Sequence, residues 1–85
     1  MAYLYILQSD IDGRYYVGST KDITRRLKEH QSGKVLSTKG FLPLRLVFKE
    51  YFEDITIARR FELKVKKLKR RDYLKKMILD GKVKI

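Results

Sequence analysis

Tyr15-Tyr16-Val17-Gly18-Ser19-Thr20-Lys21-Asp22-Ile23-Thr24-Arg25-Arg26-Leu27-Lys28-Glu29-His30 changes its periodicity halfway along. The first part, Tyr15 to Ser19, predicts a strand. Asp22 then offers a carboxylate to the open N–H groups at the start of a helix. Ile23 and Leu27 lie four apart on its buried stripe, Arg26 and His30 four apart on a neighbouring face, and Gly33 ends it. Upstream, Tyr3 to Gln8 alternates aromatic and aliphatic side chains and predicts another strand. Asp10-Ile11-Asp12-Gly13 between the two strands is a turn, with Gly13 free to take positive φ. The first nineteen residues therefore read as a hairpin. Its loop exceeds two residues, which leaves the strand register open.

Downstream, Ser32 to Gly40 has little periodicity and reads as a loop, basic at Lys34 and Lys39. Pro43 introduces a third strand, Arg45 to Tyr51, in which Leu46, Phe48 and Glu50 alternate with Val47, Lys49 and Tyr51. Asp54 caps a long helix whose apolar positions are Ile55, Ala58, Phe61, Val65 and Leu68, with Glu62 at the margin of that stripe. A final helix from about Arg71 to Leu79 buries Leu74, Met77 and Ile78 and stops at Gly81. Strand, strand, helix, strand, helix, helix predicts an α+β unit with helices packed against a small sheet. A length of 85 residues is expected to make one domain, residues 1–85, with a small core.

Composition narrows the function. With no cysteine, disulfides and thiolate metal ligands are excluded. The apolar stretch Ala2 to Leu7 lacks a basic leader and a cleavage site, and no apolar run approaches bilayer length. A cytoplasmic protein without membrane association is the default expectation. Hydrophobic residues make up 44% of the chain and are spread along it, which argues against disorder. The 21 Lys and Arg against 10 Asp and Glu give a net charge of +11. Between Arg59 and Lys76 only Glu62 and Asp72 are acidic, so the positive field is concentrated there. It would attract polyanions in a strongly salt-dependent way. A solvated, lysine-rich surface of the kind found in heat-stable proteins is the plainer alternative.

Three sets of residues carry possible chemistry. Glu62, amid Arg59, Arg60, Lys64 and Lys66, is either an ion-pairing surface group or an oxygen ligand for a hard cation. Mg²⁺ needs only one or two carboxylates when substrate phosphate completes its shell. His30 is the sole histidine, so no zinc site can form. Arg26, one turn earlier, has a planar fork of donors suited to phosphate oxygens, although it could equally touch backbone phosphates without doing chemistry. Four of the six tyrosines fall in the hairpin, and strand aromatics usually serve packing. Tyr5 and Tyr16 would nevertheless bring two hydroxyls to one face if the hairpin pairs them as neighbours. Phenol, guanidinium, imidazole and carboxylate together suffice for phosphodiester hydrolysis.

These residues resemble the GIY-YIG nuclease superfamily, in particular its small stand-alone UPF0213-like branch. Tyr16-Val17-Gly18 stands for the second half of the signature and Tyr3-Leu4-Tyr5 for the first. The likeness continues through Asp22 to Gly33, Ser37-Thr38-Lys39-Gly40, Pro43 to Val47, Ala58 to Lys66 and Arg71-Asp72-Tyr73-Leu74. It implies a three-stranded antiparallel sheet flanked by helices. It also implies that Tyr5 and Tyr16 are the paired active-site tyrosines, and that Gly18 allows close packing beside them. Arg26 would be the phosphate-binding arginine, with His30 near the reacting phosphate. Glu62 would be the single ligand of one Mg²⁺ or Mn²⁺ ion. Which tyrosine acts as base, and whether His30 takes part, the sequence leaves open. Lys39, Lys66, Lys67, Lys69, Arg70 and Arg71 are expected to follow DNA phosphates.

Two features depart from the family pattern. Tyr3 replaces the first glycine, and the chain has no asparagine, where several relatives carry one late in the domain. The implied activity is metal-dependent DNA endonuclease of low sequence specificity, on branched, damaged or single-stranded DNA. A bare module would read mostly the DNA backbone. The competing expectation is a nucleic-acid-binding module that cuts little, or only with a targeting protein partner. A monomer or weak homodimer fits either.

Overall fold

The computed structural model describes residues 1–68 and 70–82. Three strands, β1 (Ala2–Ser9), β2 (Tyr15–Thr20) and β3 (Leu44–Phe52), form one sheet in the order β2-β1-β3. Both pairings are antiparallel. Helix α1 (Ile23–Gln31) follows β2, and helices α2 (Ile55–Leu68) and α3 (Arg71–Asp80) follow β3. This is the α+β arrangement expected from the order of elements.

β1 explains the architecture. It is the central strand, and both of its faces are covered, so nearly all its side chains are buried. Leu4 and Ile6 face a cluster with Val17, Phe48, Val65 and Met77, against which Phe61 of α2 and Leu74 of α3 pack. Tyr5 and Leu7 point the other way, into a cluster with Leu44, Tyr16 and the Ile23 and Leu27 stripe of α1. One strand thus supplies two cores because its side chains alternate between faces.

Pairing of Tyr5 with Gly18 and of Leu7 with Tyr16 fixes the register that the turn left open. Directly paired residues share a face, so Tyr5 and Tyr16 stand together on the α1 side. Gly13 has a φ of +76° in the connecting turn, and its N–H donates to Ser9 O at 2.9 Å.

The third strand departs from simple alternation. Ile6 pairs with Phe48 but Leu7 pairs with Leu46, so Val47 is an extra residue in a β-bulge. Leu44 and Phe48, four apart, would share a face in a regular strand. The bulge turns Leu44 into the α1-side core and Phe48 into the other. It also leaves Leu46, expected to alternate with Val47 in step with Phe48, 38% exposed.

The expected caps are present. Asp22 accepts from Arg25 N–H at 3.1 Å and Asp54 from Thr56 N–H at 2.8 Å, each satisfying an open donor of a helix start. Gly81 ends α3 in the left-handed region, with φ +72°. Leu68, expected on the buried stripe of α2, instead lies 41% exposed at its last residue. The segment read as a loop after α1 contains a 3-10 turn, Lys39–Phe41, preceded by a fully buried Thr38.

Candidate active site

Tyr5 is the pivot. Its ring lies over Gly18 on β2, where a Cβ would fall 2.5 Å from the hydroxyl oxygen and 2.6 Å from Cζ. Real Cβ contacts are never this short, so a hydrogen at position 18 is what lets the phenol lie flat across the edge strand. Tyr5 is 1% exposed, whereas Tyr16, 6.4 Å away between ring centres, is half-buried. The Tyr5 phenol is pushed up from its ordinary value, chiefly by burial, against the pull of Arg26.

Behind the phenol lies a line of buried polar groups. The Tyr5 hydroxyl is 3.0 Å from His30 Nε2, and His30 Nδ1 is 2.8 Å from Thr38 Oγ1. His30 and Thr38 are each fully buried. Burial, aided by the Arg26 charge, pushes the imidazole down to about 4, so it is neutral at pH 7. The Tyr16 ring closes one side, edge-on to His30 at 5.1 Å. His30 therefore hydrogen-bonds Tyr5 and Thr38, packs against the Tyr16 ring and is shut off from solvent.

Arg26 stands on the outer side of the phenol, projected from α1 one turn before His30. Its charge acts on the Tyr5 hydroxyl, and its guanidinium donates to Glu29 Oε1 at 3.0 Å. Both partners raise its affinity for its proton, so it stays cationic. Arg26 also lines a groove of about 380 Å³ in which Lys21, Arg25 and Arg59 outnumber the carboxylates of Asp22 and Glu29, with Ser19 and Thr20 alongside. This groove joins the start of α1 to the start of α2 past the end of β2.

Glu62 approaches from the opposite helix layer. Its Oε1 accepts from the Ser19 hydroxyl of β2 and its Oε2 from Lys66 Nζ at 2.6 Å. The Glu62 side chain is only 17% exposed, and its charge is felt at the Tyr5 hydroxyl. Tyr5, Tyr16, Gly18, Arg26, His30 and Glu62 are thus gathered around β2, contributed by both helix layers. They do not all line one open cleft, as Tyr5 and His30 lie beneath the surface.

The sequence profile of the GIY-YIG catalytic domain matches residues 1–77. The chain belongs to the GIY-YIG family. UPF0213 protein BH0048 of Halalkalibacterium halodurans is 46% identical over 70 residues, covering 81% of this chain and 73% of that protein. A UPF0213 protein of Halobacterium salinarum is 37% identical over 71 residues, covering 82% and 91%. One from Streptococcus pneumoniae is 40% identical over 70 residues, covering 81% and 70%. The solution NMR structure of UPF0213 protein BH0048 from Bacillus halodurans superposes with a TM-score of 0.59 at 42% identity, over 95% of this chain and 87% of that one. Its fold and the three-stranded sheet with three helices described above agree.

GIY-YIG nucleases work with a divalent metal, and the residues here can be tested for such an ion. Among the described residues no three His, Cys, Asp or Glu side chains come together. A hard cation would find one sheltered carboxylate, Glu62, with the Ser19 hydroxyl beside it. That set suits an ion that keeps several waters and takes further oxygens from a phosphate. The Lys66 ammonium against Oε2 shows that the position favours positive charge. The donor set fits.

The basic residues divide. Lys39, Lys66 and Lys67 are exposed, and Lys66 also reaches the Tyr16 ring at 5.7 Å. Arg71 is exposed and already has partners: its guanidinium donates to Gly13 O at 2.9 Å and lies 4.7 Å from the Tyr15 ring centre. Arg70 pairs with Asp72 at 3.3 Å. Lys69 lies outside the described residues. Among the described residues, no helix is long and apolar enough to cross a membrane.

Sequence reading overlooked Ser19, Thr38 and the groove residues Lys21, Arg25 and Arg59. Ser19 and Thr38 carry no signal of their own, since their partners lie 43 and 8 residues away. The doublets Arg25-Arg26 and Arg59-Arg60 at two helix starts were the visible hint of the groove.

Proposed function

We propose that this chain hydrolyses phosphodiester bonds in DNA with one divalent ion at Glu62 and little sequence preference. The observation that carries this reading is the Tyr5 hydroxyl, 3.0 Å from a neutral buried imidazole and under the influence of the Arg26 charge. A simple binding surface has no need of a buried hydrogen-bond acceptor that orients a phenol from behind.

The chemistry follows from the order of these groups. A neutral imidazole has one N–H. Assigning it to Nδ1 lets it donate to Thr38 Oγ1, whose own hydroxyl hydrogen turns toward Val35 O at 3.5 Å. Nε2 then presents its lone pair to Tyr5, and the phenol donates inward. The phenol oxygen keeps a lone pair for a water molecule. As that water attacks phosphorus, the phenol oxygen accepts a hydrogen bond from it and orients it. The water proton leaves to a non-bridging phosphate oxygen, while the neutral imidazole keeps the phenol hydrogen turned inward. Tyr5 is the group that touches the reacting water, and His30 and Thr38 act through it.

The Arg26 charge acts on the phenol, so a phosphate drawn to its guanidinium would arrive near the Tyr5 hydroxyl. There the guanidinium offsets the charge that grows on the non-bridging oxygens. When bound, the divalent ion supplies Lewis-acid stabilisation of negative charge on the phosphoryl group and the departing oxygen. Lys21, Arg25 and Arg59 extend the positive groove away from Arg26 and would hold neighbouring phosphates. Such contacts position a backbone but read no bases, which supports low specificity.

The test is cleavage of duplex, branched and single-stranded DNA with Mg²⁺ or Mn²⁺, for the wild type and Tyr5→Phe. Cleavage by the wild type, stopped by EDTA and reduced about 10²- to 10⁴-fold in Tyr5→Phe with binding kept, supports the proposal. DNA bound but left intact by the wild type under every condition favours the binding-module reading.

A further inference from the structure

The two oxygens of Glu62 are held differently. Oε1 accepts from Ser19 inside the protein, while Oε2 faces the Lys66 ammonium at 2.6 Å. The glutamate side chain is 17% exposed and the lysine side chain 46%, so the ammonium closes the carboxylate from outside. The two residues are one turn apart on α2, and the same ammonium lies 5.7 Å from the Tyr16 ring centre. Lys66 therefore sits at the meeting point of the carboxylate and the half-buried Tyr16.

An ion such as Mg²⁺ binds a carboxylate oxygen at about 2.1 Å. The ammonium already takes that approach to Oε2, and two cations sharing one oxygen repel each other. Resting on the proposed metal role of Glu62, we infer that Lys66 is an internal counter-cation that must leave the carboxylate before the ion binds. Its four-carbon stem lets it swing outward without disturbing the helix. A released ammonium beside Tyr16 is then free to meet a DNA phosphate. Metal and DNA thus favour each other through one lysine: the ion frees Lys66, and a phosphate that captures Lys66 opens Glu62. By linkage the coupling is the same in both directions.

Three consequences separate this exchange from an ordinary surface ion pair. In the absence of DNA, Lys66→Met binds Mn²⁺ more tightly than wild type, by about two- to fivefold, the scale of a partly exposed pair. Lys66→Gln does the same, which excludes an effect peculiar to methionine. On phosphorothioate duplex, adding Mn²⁺ raises DNA affinity more in the wild type than in Lys66→Met.

The deciding experiment is a Mn²⁺ titration of the free protein followed by electron paramagnetic resonance, for wild type, Lys66→Met, Lys66→Gln and Glu62→Gln. Circular dichroism melts of the same samples establish folding. Tighter binding in both Lys66 variants and loss in Glu62→Gln is the expected result. Unchanged or weaker binding in the Lys66 variants, with loss in Glu62→Gln, overturns the exchange and leaves Glu62 as ligand. Equal binding by all four proteins removes Glu62 from the metal site, and the proposed mechanism falls with the exchange. Equal gains in DNA affinity for wild type and Lys66→Met overturn the hand-over to phosphate.

Discussion

The Tyr5 phenol occupies the space that a side chain on Gly18 would need. The two residues pair directly across β1 and β2, and the ring of one crosses the backbone of the other. An active-site hydroxyl is thereby located by the absence of an atom. Because Tyr5 is only 1% exposed, its ring has no free space to turn away into.

Gly18→Ala should therefore displace Tyr5. Overpacking of this kind costs about 1–3 kcal/mol of stability. Cleavage should fall further than stability does, by about 10²-fold, because the phenol no longer meets His30 and the phosphate in register. Urea melts and single-turnover cleavage on the same preparation check this. A fully active Gly18→Ala would show that the close packing has no catalytic part.

His30 sets a pH limit on stability. Its folded value of about 4 lies below the ordinary 6.5, so between these pH values the unfolded chain binds more protons than the folded one. Its contribution is complete above about pH 6.5 and is lost as the pH falls toward 4. The carboxyls of Glu29, Asp54 and Asp72 are also held low, but their losses begin only near their ordinary values of 4.5 and 3.8. Urea midpoints should fall between pH 6.5 and 4.5 in the wild type and stay nearly level there in His30→Gln.

Thr38 should matter more than an unremarkable loop residue would. Thr38→Val removes the partner of a buried imidazole nitrogen, at about 1–3 kcal/mol, whereas Thr38→Ser keeps it and costs less. Imidazole ¹⁵N shifts should report one tautomer in the wild type and Thr38→Ser, and a mixture in Thr38→Val. A single unchanged tautomer in the valine variant would show that Thr38 does not fix the imidazole behind Tyr5.

Two arginines should behave oppositely. Arg71→Ala breaks the contacts to Gly13 O and the Tyr15 ring, lowering stability by about 1 kcal/mol with little effect on DNA. Arg59→Ala should weaken DNA binding about evenly across sequences and reduce its salt slope by about one, leaving the melt unchanged. Fluorescence anisotropy over a salt series, with thermal melts alongside, distinguishes them.

These sites show what local sequence can and cannot carry. Asp22, Asp54 and Gly81 mark helix ends because capping is decided within a few residues. The grouping of Tyr5 with Tyr16 was legible up to the hairpin register, which required the full sheet. The bulge at Val47 left no trace, since its cause is the demand of two cores for Leu44 and Phe48 on opposite faces. His30 was visible as a lone histidine, but its burial and its Thr38 partner arise from how the following loop folds back. Glu62 stood between two readings, ion pair and ligand. In the structure it does make the ion pair, yet it is sheltered and aimed at β2, which a surface pair would not require.

Glu62→Gln tests the central claim most directly. The amide is nearly isosteric, can still accept from Ser19 and removes only the charge. Single-turnover cleavage in Mg²⁺ or Mn²⁺ should be lost, while DNA affinity in EDTA and the thermal melt stay close to wild type. Cleavage at the wild-type rate by purified Glu62→Gln would contradict a metal-dependent site built on this carboxylate.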